Sequence, residues 1–592
     1  MSPHLRWPSL PRATRPPITG RDPGCAIAPQ TNEESPLSPT SATGTEPQFT
    51  LVSAVDTAAA VIPDRDLIVQ GERRHTYAQV ADRSRRLAAY LHAQGLGCST
   101  ERPDLANHEV GQDLLGIYAY NGPEFVESMI GAFRARVAPF NVNYRYVENE
   151  LQYLLADSGA TAVVYHAAFA PMLAEVLPDL PGLRVLIQIA DSSDNDLLDG
   201  AVDYETVLAA TEPEPLPVEP SPDDLYVLYT GGTTGMPKGV LWRQHDIYMG
   251  ACGGRDASSG ATIASHDEIA ERARANPGMK LMVIPPLIHG AAQWAVLTAM
   301  TTGQTIVLPS VTDRIDADEI VHTIEREKVS VAMVVGDALA RPVLAAVESG
   351  GADVSSMVAL ANGGAVLSPA VKERWIAAVP GLAVLDGVGS SETGAQMHHV
   401  SAAGFVSTGK FSAGADTRFV AEDLGSVLEP GHDGIGWLAQ RRFTPLGYKG
   451  DAEKTAATFP VIDGVRYVLP GDRARLLADG SVELLGRDSM TINSGGEKIF
   501  AEEVEIAISS HPAVADVLVV GRPSERWGQE VVAVVELVEG ATTEADELIA
   551  HAGQSLARYK LPKAVVYRPE IMRSPAGKAD YRWAREQVTG QA

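Results

Sequence analysis

The amino-acid sequence predicts a large, layered α/β domain followed by a small α+β domain, and three observations predict it. The chain has 592 residues, more than a single hydrophobic core supports. Short apolar runs alternate with amphipathic helical patterns in its first part, the order of a largely parallel sheet covered by helices. Near the C-terminus the helix-like Ala501-Glu502-Glu503-Val504-Glu505 precedes two apolar runs, Val514 to Val520 and Val531 to Val538. That grouping spans about 100 residues, an ordinary size for a small domain.

Taken in order, residues 1–48 are rich in Pro, Ser, Thr and Gly and poor in large apolar residues. They cannot bury enough surface to offset the entropy of ordering, and they read as a disordered tail. Folded sequence starts near Phe49, and Thr76-Tyr77 leads into a helical pattern through Val80, Leu87, Leu91 and Leu96. Leu114 to Tyr118 reads as a buried strand. Asn121-Gly122-Pro123-Glu124 reads as a helix start, with Phe125, Met129 and Phe133 on the apolar face. Ala138 to Val142, Ala162 to Tyr165 and Val185 to Ile189 repeat the strand pattern, and Arg134 to Arg145 reads as packing plus a solvated charged edge. Five prolines between Glu212 and Asp224 mark a connector. Beyond it, Lys280 to Ile284 is a further strand.

The connector leads to Tyr229-Thr230-Gly231-Gly232-Thr233-Thr234-Gly235-Met236-Pro237-Lys238-Gly239-Val240, which follows the apolar run Leu225 to Tyr229. Three glycines within five residues let backbone N–H groups approach an anion, the threonines add hydroxyl donors, and Lys238 adds a point charge. By itself the stretch is open to two readings, a phosphate cradle or a hairpin turn. It departs from the common nucleotide P-loop, because Lys238 follows Pro237 and precedes Gly239.

Composition narrows the function classes. A net charge of -27 and a pI near 4.9 oppose binding to nucleic acid, whose phosphates an acidic surface repels. Cys25, Cys98 and Cys252 are odd in number and widely spaced, which suits a reducing cytoplasm and fits neither a disulfide framework nor a zinc site. No run of about 18 apolar residues occurs, so no spanning helix is expected. Peripheral membrane contact and a homodimer stay open.

Several blocks in a fixed order resemble the adenylate-forming superfamily, which includes acyl-CoA synthetases, luciferases and the adenylation domains of peptide synthetases. The loop at 229–240 is similar to the family's signature, with Gly231 where Ser is usual. Pro285-Pro286-Leu287-Ile288-His289 resembles the block in which an aromatic residue or His stands beside the carboxylate substrate, so the resemblance makes His289 a candidate gate. Between Leu287 and Met300 there is no acid to pair with a substrate ammonium, which favours an acid without an α-amine. Ala361-Asn362-Gly363-Gly364-Ala365 closes an apolar strand, and around Gly364 and Ala365 a flat base could approach the backbone.

Asp386-Gly387-Val388-Gly389-Ser390-Ser391-Glu392-Thr393-Gly394 resembles the family's Tyr-Gly-x-Thr-Glu block, with Val388 at the aromatic position and Ser391 at the threonine position. A carboxylate beside a triphosphate is a natural Mg²⁺ ligand, which assigns the metal to Glu392. Ser391 keeps a hydroxyl for the α-phosphate. Asp386 and Gly387 join the expected nucleotide site. Asp472, in Leu469-Pro470-Gly471-Asp472-Arg473, is the implied ribose acceptor, with Arg487 beside it. Gly486 to Ile499 resembles the hinge block, with Ser489 where Asp or Lys is usual. Arg573-Ser574-Pro575-Ala576-Gly577-Lys578 resembles the closing element that carries the adenylation lysine.

The resemblance implies a tail at 1–48, an AMP-binding domain at 49–487 and a mobile lid domain at 488–592. It implies ATP, Mg²⁺ and coenzyme A, a small-molecule carboxylic acid, and a two-step reaction through an acyl-adenylate. Thr230, Gly231, Gly232, Thr233, Thr234, Gly235 and Lys238 are then the pyrophosphate cradle. Glu392, His289 and Lys578 are the expected catalytic residues, and Gly495 and Gly496 enter for the pantetheine arm after lid rotation. Within the family, Val-Leu-Trp-Arg-Gln after the loop and Ser-Gly-Gly-Glu-Lys-Ile-Phe point to bacterial enzymes acting on long-chain fatty acids or steroid side-chain carboxylates. A ligase serving a carrier protein, a luciferase-like oxygenase and a non-catalytic nucleotide-binding regulator would share the nucleotide residues.

Overall fold

The structure, a computed structural model, describes residues 47–592 except 214, 233–234, 257–259, 407–408, 433, 495–496, 574–578 and 590–592. The expected tail at 1–48 therefore lies outside the described residues but for its last two. Phe49 is fully buried, and the helix Leu51–Val61, capped by Thr50, follows at once.

Among the described residues three sheets carry the large domain: a three-stranded one of Gly447–Tyr448, Gly235–Arg243 and Leu225–Gly232, and two larger ones. In the smaller of these two, Ala138–Asn141, Leu114–Tyr118, Ala162–His166, Val185–Ile189 and Val202–Asp203 lie side by side, all parallel. Leu114–Tyr118 and Val185–Ile189 are buried at every position. Strands covered on both faces have no solvated side, so they show as continuous apolar runs. The larger sheet has 15 strands. Asp66–Gln70, Thr305–Leu308, Lys280–Val283, Val331–Val334, Ala359–Gly363 and Ala383–Ser390 form a parallel stretch. From Gly394–Ser401 onward the pairing is antiparallel, through Lys410–Ala413, Ser481–Arg487, Asp472–Leu476 and Gly436–Arg441.

Helices close the layers. Tyr77–Ala93 starts with a reciprocal Thr76/Gln79 capping box and packs on Pro123–Arg134, whose twelve residues are all buried. Gly131 permits this crossing, since a Cβ there would meet Leu87 Cβ at 3.1 Å and Ser84 O at 3.1 Å. The charges of this region are spent on packing. Glu127 accepts from His75, Arg83 and Tyr204, Arg134 pairs with Asp56, and Arg136 bridges Asp224 and Glu101.

The small domain is α+β. Glu497–Phe500 and Thr491–Ser494 form one antiparallel hairpin and Val514–Ser524 and Gly528–Leu537 another, joined where Thr491–Ser494 pairs with Gly528–Leu537, and Ala564–Tyr567 adds a parallel strand to Gly528–Leu537. Successive strand residues face opposite sides. Val517 and Val519 accordingly pack under helices Ala501–Ser509 and Ala545–Ala552, whereas Leu518 and Val520 pack under Tyr581–Thr589. No helix among the described residues is long and apolar enough to cross a membrane.

Candidate active site

The glycine-threonine stretch is the tip of a hairpin between Leu225–Gly232 and Gly235–Arg243. Both sequence readings are compatible with this pairing, in which Gly232 lies opposite Gly235. Thr230 and Lys238 are direct cross-strand partners, and Gly231, Gly232 and Gly235 belong to the strand ends. Thr233 and Thr234 lie outside the described residues. Gly239 lies opposite Tyr229, where a Cβ would meet the ring at 2.9 Å.

Asn141 sets the hairpin in place. Its buried amide donates to Tyr229 O at 2.8 Å and Ile288 O at 2.7 Å, and its Oδ1 accepts from Tyr229 N at 2.9 Å. One side chain thus holds the residues immediately before Thr230 and His289. Asn121 braces the same segment, accepting from Leu287 N at 2.7 Å and donating to Pro285 O at 3.0 Å. His289 is half-buried at the N-cap of helix Gly290–Thr301. Gly290 lets that helix approach the hairpin, because a Cβ would stand 2.6 Å from Leu228 Cδ2. Neither asparagine was a candidate from sequence: an isolated Asn at or just past a strand end carries no periodic signal.

A hydrogen-bonded chain leads from the hairpin into the metal candidate. Thr230 Oγ1 lies 3.3 Å from Ser391 Oγ, which donates to Glu392 Oε2 at 2.8 Å. Tyr448 O–H donates to Glu392 Oε1 at 2.8 Å, and Trp242 Nε1 donates to Ser391 O at 2.8 Å. Burial, then the Glu392 charge, pushes the Tyr448 phenol well up, so it remains a donor. Lys238 Nζ pairs with Asp451 Oδ2 at 2.5 Å. Tyr448 and Asp451 escaped the sequence reading, although they share the short segment 447–451.

Asp472 and Arg487 face each other across adjacent antiparallel strands, with Arg487 Nε 3.3 Å from Asp472 Oδ1. Burial raises the Asp472 carboxyl above its usual range; Arg487 draws it down, and the Glu392 charge adds to the rise. Burial works against the Arg487 charge, yet Asp472, Glu392, Glu502 and Tyr448 together hold its pKa above the ordinary value. Glu392, Tyr448, Asp472 and Arg487 therefore share one electrostatic neighbourhood.

Gly364 adopts φ +86°, and Gly363 and Gly387 are register partners on adjacent parallel strands. Asn362 organises this rim by accepting from Gly336 N at 2.8 Å and donating to Ala365 O at 3.1 Å. Asp386 sits below it, buried, accepting from Asn362 Nδ2 at 2.9 Å and pairing with Lys372 Nζ at 2.6 Å. Both of its oxygens thus serve the fold. Cys252 is fully buried, and burial pushes its thiol well above the ordinary value, which removes it as a nucleophile.

At the junction with the small domain, Asp488–Met490 form a 3₁₀ turn. Arg473, stacked 4.0 Å over Trp437, holds Asp488 at 3.3 Å and Glu422 at 2.9 Å, while Glu422 reaches Lys498 of the small domain at 2.5 Å. Gly495 and Gly496, which follow Thr491–Ser494 in sequence, lie outside the described residues, as does Lys578. The chain flanking Lys578 is fixed: Arg573 binds Asp516 through two contacts of 2.6 Å and bridges to Ala579.

Glu502 of the small domain packs against Gly486 and Arg487. Burial, then the Glu505 and Asp472 charges, pushes its carboxyl up to about 8. Burial likewise raises Glu505, which accepts from Val519 N and Tyr581 O–H, to about 7. A carboxyl whose pKa rises on folding stabilises the fold in its neutral form. That contribution is complete below the unfolded pKa and is lost as pH rises through the folded one. We expect the melting temperature of the protein to fall between about pH 4.5 and pH 8, and Glu502→Gln to flatten that fall, above all between pH 7 and pH 8 where Glu505 has already titrated. Identical pH slopes for the two proteins would refute the assignment.

The AMP-binding enzyme family matches residues 55–443, and the AMP-binding enzyme C-terminal domain matches 503–578. The medium-chain acyl-CoA ligase Mig of Mycobacterium avium is 70% identical over 540 residues, covering 91% of this chain and 98% of that protein. The 3-oxocholest-4-en-26-oate–CoA ligase of Rhodococcus rhodochrous is 41% identical over 551 residues, covering 91% of this chain and 96% of that protein. Among solved structures, the anthranilate CoA ligase AuaEII in complex with anthranoyl-AMP shares the fold with a TM-score of 0.77 at 20% identity, covering 91% of this chain and 97% of that one. The chain belongs to the AMP-binding enzyme family, and within it to the adenylate-forming acyl-CoA synthetases, acid–thiol ligases whose substrates are ATP, a carboxylic acid and CoA.

Proposed function

We propose that the acid activated is a medium-chain fatty acid, and that the residues gathered around the hairpin carry out the first step. The preference for medium chains rests on the 70% identical medium-chain ligase. The steroid side-chain ligase, at 41% identity, supports a second reading in which a steroid carboxylate is accepted. The observation that carries the site assignment is the unbroken chain Thr230–Ser391–Glu392–Tyr448, which joins residues from three separate stretches of sequence.

In the first step a carboxylate oxygen attacks the α-phosphorus of ATP, the bond to the β-phosphate breaks, and pyrophosphate leaves. Negative charge grows on the phosphorane and on the leaving group, so preorganised donors supply most of the acceleration. Thr230, Thr233, Thr234 and Lys238, with the backbone of Gly231, Gly232 and Gly235, hold the pyrophosphate side. Ser391 and Lys578 serve the α-phosphate. Asp472 accepts from the ribose with Arg487 steadying it, the backbone at Gly364, Ala365 and Gly387 flanks the base, and His289 borders the incoming acid. Asp386 supports the strand end beneath them. In the second step the CoA thiol attacks the acyl carbon, a C–S bond forms, AMP leaves, and the thiol proton passes to solvent.

Glu392 fits Mg²⁺, which prefers one or two protein oxygens plus phosphate oxygens. The carboxylate is oriented by two hydroxyl donors, Ser391 and Tyr448. The cation, when bound, neutralises charge on the triphosphate. We place the domain boundary at Asp488-Ser489, between 49–487 and 488–592. Rotation there exchanges Lys578 for Ser494, Gly495 and Gly496 between the two steps.

CoA-dependent AMP release across short, medium and long straight-chain acids and a steroid side-chain carboxylate tests the substrate. The expected result is a maximum at medium length. A maximum with the steroid acid would replace the first reading with the second.

A further inference from the structure

Lys238 is a flexible point charge on the strand leaving the hairpin tip, and a neighbouring segment of chain fixes where it points. Leu446 N and Lys449 N donate to Leu241 O and Gly239 O at 2.7 and 2.8 Å, so Gly447–Tyr448 runs as a third strand beside Gly235–Arg243. The close turn that follows requires Gly447, because a Cβ there would overlap the Thr455 side chain. Thr455 Oγ1 accepts from Tyr448 N at 2.9 Å and donates to Asp451 O at 2.6 Å, which locks the turn.

Asp451 is the N-cap of helix Ala452–Thr458. Its Oδ1 accepts from Lys454 N at 2.9 Å, and its Oδ2 meets Lys238 Nζ at 2.5 Å. The cap bond holds the carboxylate in one orientation, so the second oxygen is aimed at the ammonium. The hydrogen bond from Lys238, then the cap bond from Lys454 N, hold the Asp451 carboxyl below its usual range. An ammonium has three N–H donors, and the bond to Asp451 leaves two for phosphate oxygens.

We propose that Asp451 is a positioning residue for adenylation: it holds the Lys238 ammonium where the leaving pyrophosphate is received. This rests on the assignment of Lys238 to the pyrophosphate side. The same segment also orients Glu392 through Tyr448, so residues 447–451 set both charged groups of that side.

Asp451→Asn tests the inference, because asparagine caps a helix as well as aspartate does while presenting no charge to Lys238. Measured by ATP–pyrophosphate exchange, the variant should raise KM for ATP about tenfold, the scale of one hydrogen bond to a charged group. Thioester formation from supplied acyl-AMP should be unchanged. In a Lys238→Ala background the Asn substitution should add less than about twofold, since the group it positions is gone. Additive losses, or equal losses in both half-reactions, would overturn the positioning role. A Lys238→Ala enzyme with undiminished exchange would overturn the assignment of Lys238 itself, and with it the inference.

Discussion

Lys578→Ala should slow acyl-adenylate formation by on the order of 10²- to 10³-fold, the scale for removing one transition-state donor, while thioester formation from supplied acyl-AMP should keep its rate. The asymmetry follows from the chemistry. Both nucleophiles come from substrates, so no side chain has to become covalent, and the enzyme's contribution to the first step is charge placed where the phosphorane forms. A lysine at the α-phosphate acts only while that charge exists. The chain on either side of it is anchored: Arg573 grips Asp516 just before it, and Tyr581 donates to Glu505 at 3.1 Å just after it. Separate assays of pyrophosphate exchange and of thioester formation decide the matter. Equal loss in both would remove Lys578 from its assigned role.

The second large effect is on stability. Gly486→Ala should destabilise the protein by about 2–3 kcal/mol, because it forces a side chain into a left-handed backbone. Gly486 has φ +108°, and a Cβ there would overlap Glu502 Oε2. The position is the penultimate residue of the strand Ser481–Arg487, so strain at Gly486 bears on Arg487 and on the docking of the small domain. Adding Glu502→Ala removes the overlap but not the backbone strain, so the double variant should recover only part of the loss. Denaturant unfolding measures both. A Gly486→Ala protein as stable as the wild type would exclude this packing of the small domain on the strand end.

Much of this was legible from local patterns. Leu114–Tyr118 and Val185–Ile189 showed as apolar runs because both faces of a parallel strand are buried. Thr76 and Pro123 marked helix starts through capping and a fixed φ, and both helices begin there. The antiparallel half of the large sheet did not show. Gly394–Ser401 mixes buried and exposed residues without regular alternation, and it carries neither period.

The candidate site divides in the same way. Thr230, Lys238, Glu392, Asp472 and Arg487 stood out because each lies in a block whose residue types match phosphate, metal or ribose chemistry. Their partners did not. Asn141, Tyr448 and Asp451 are single polar residues at strand or helix ends, where such residues ordinarily serve as turns and caps. The antiparallel hairpin and its third strand bring Asp451 to Lys238, 213 residues away in sequence.

The sequence alone determined the α/β class and the family and set the roles expected of its motif blocks, because periodicity and short motifs are properties of neighbouring residues. Tertiary structure decided which groups share a charge. It set Tyr448 on Glu392, Asp451 on Lys238 and Lys372 on Asp386, and it put the Glu502 carboxyl against Gly486, next to Arg487. Those pairings depend on strand register and on the docking of two domains, and both arise from contacts between residues that no sequence window contains together.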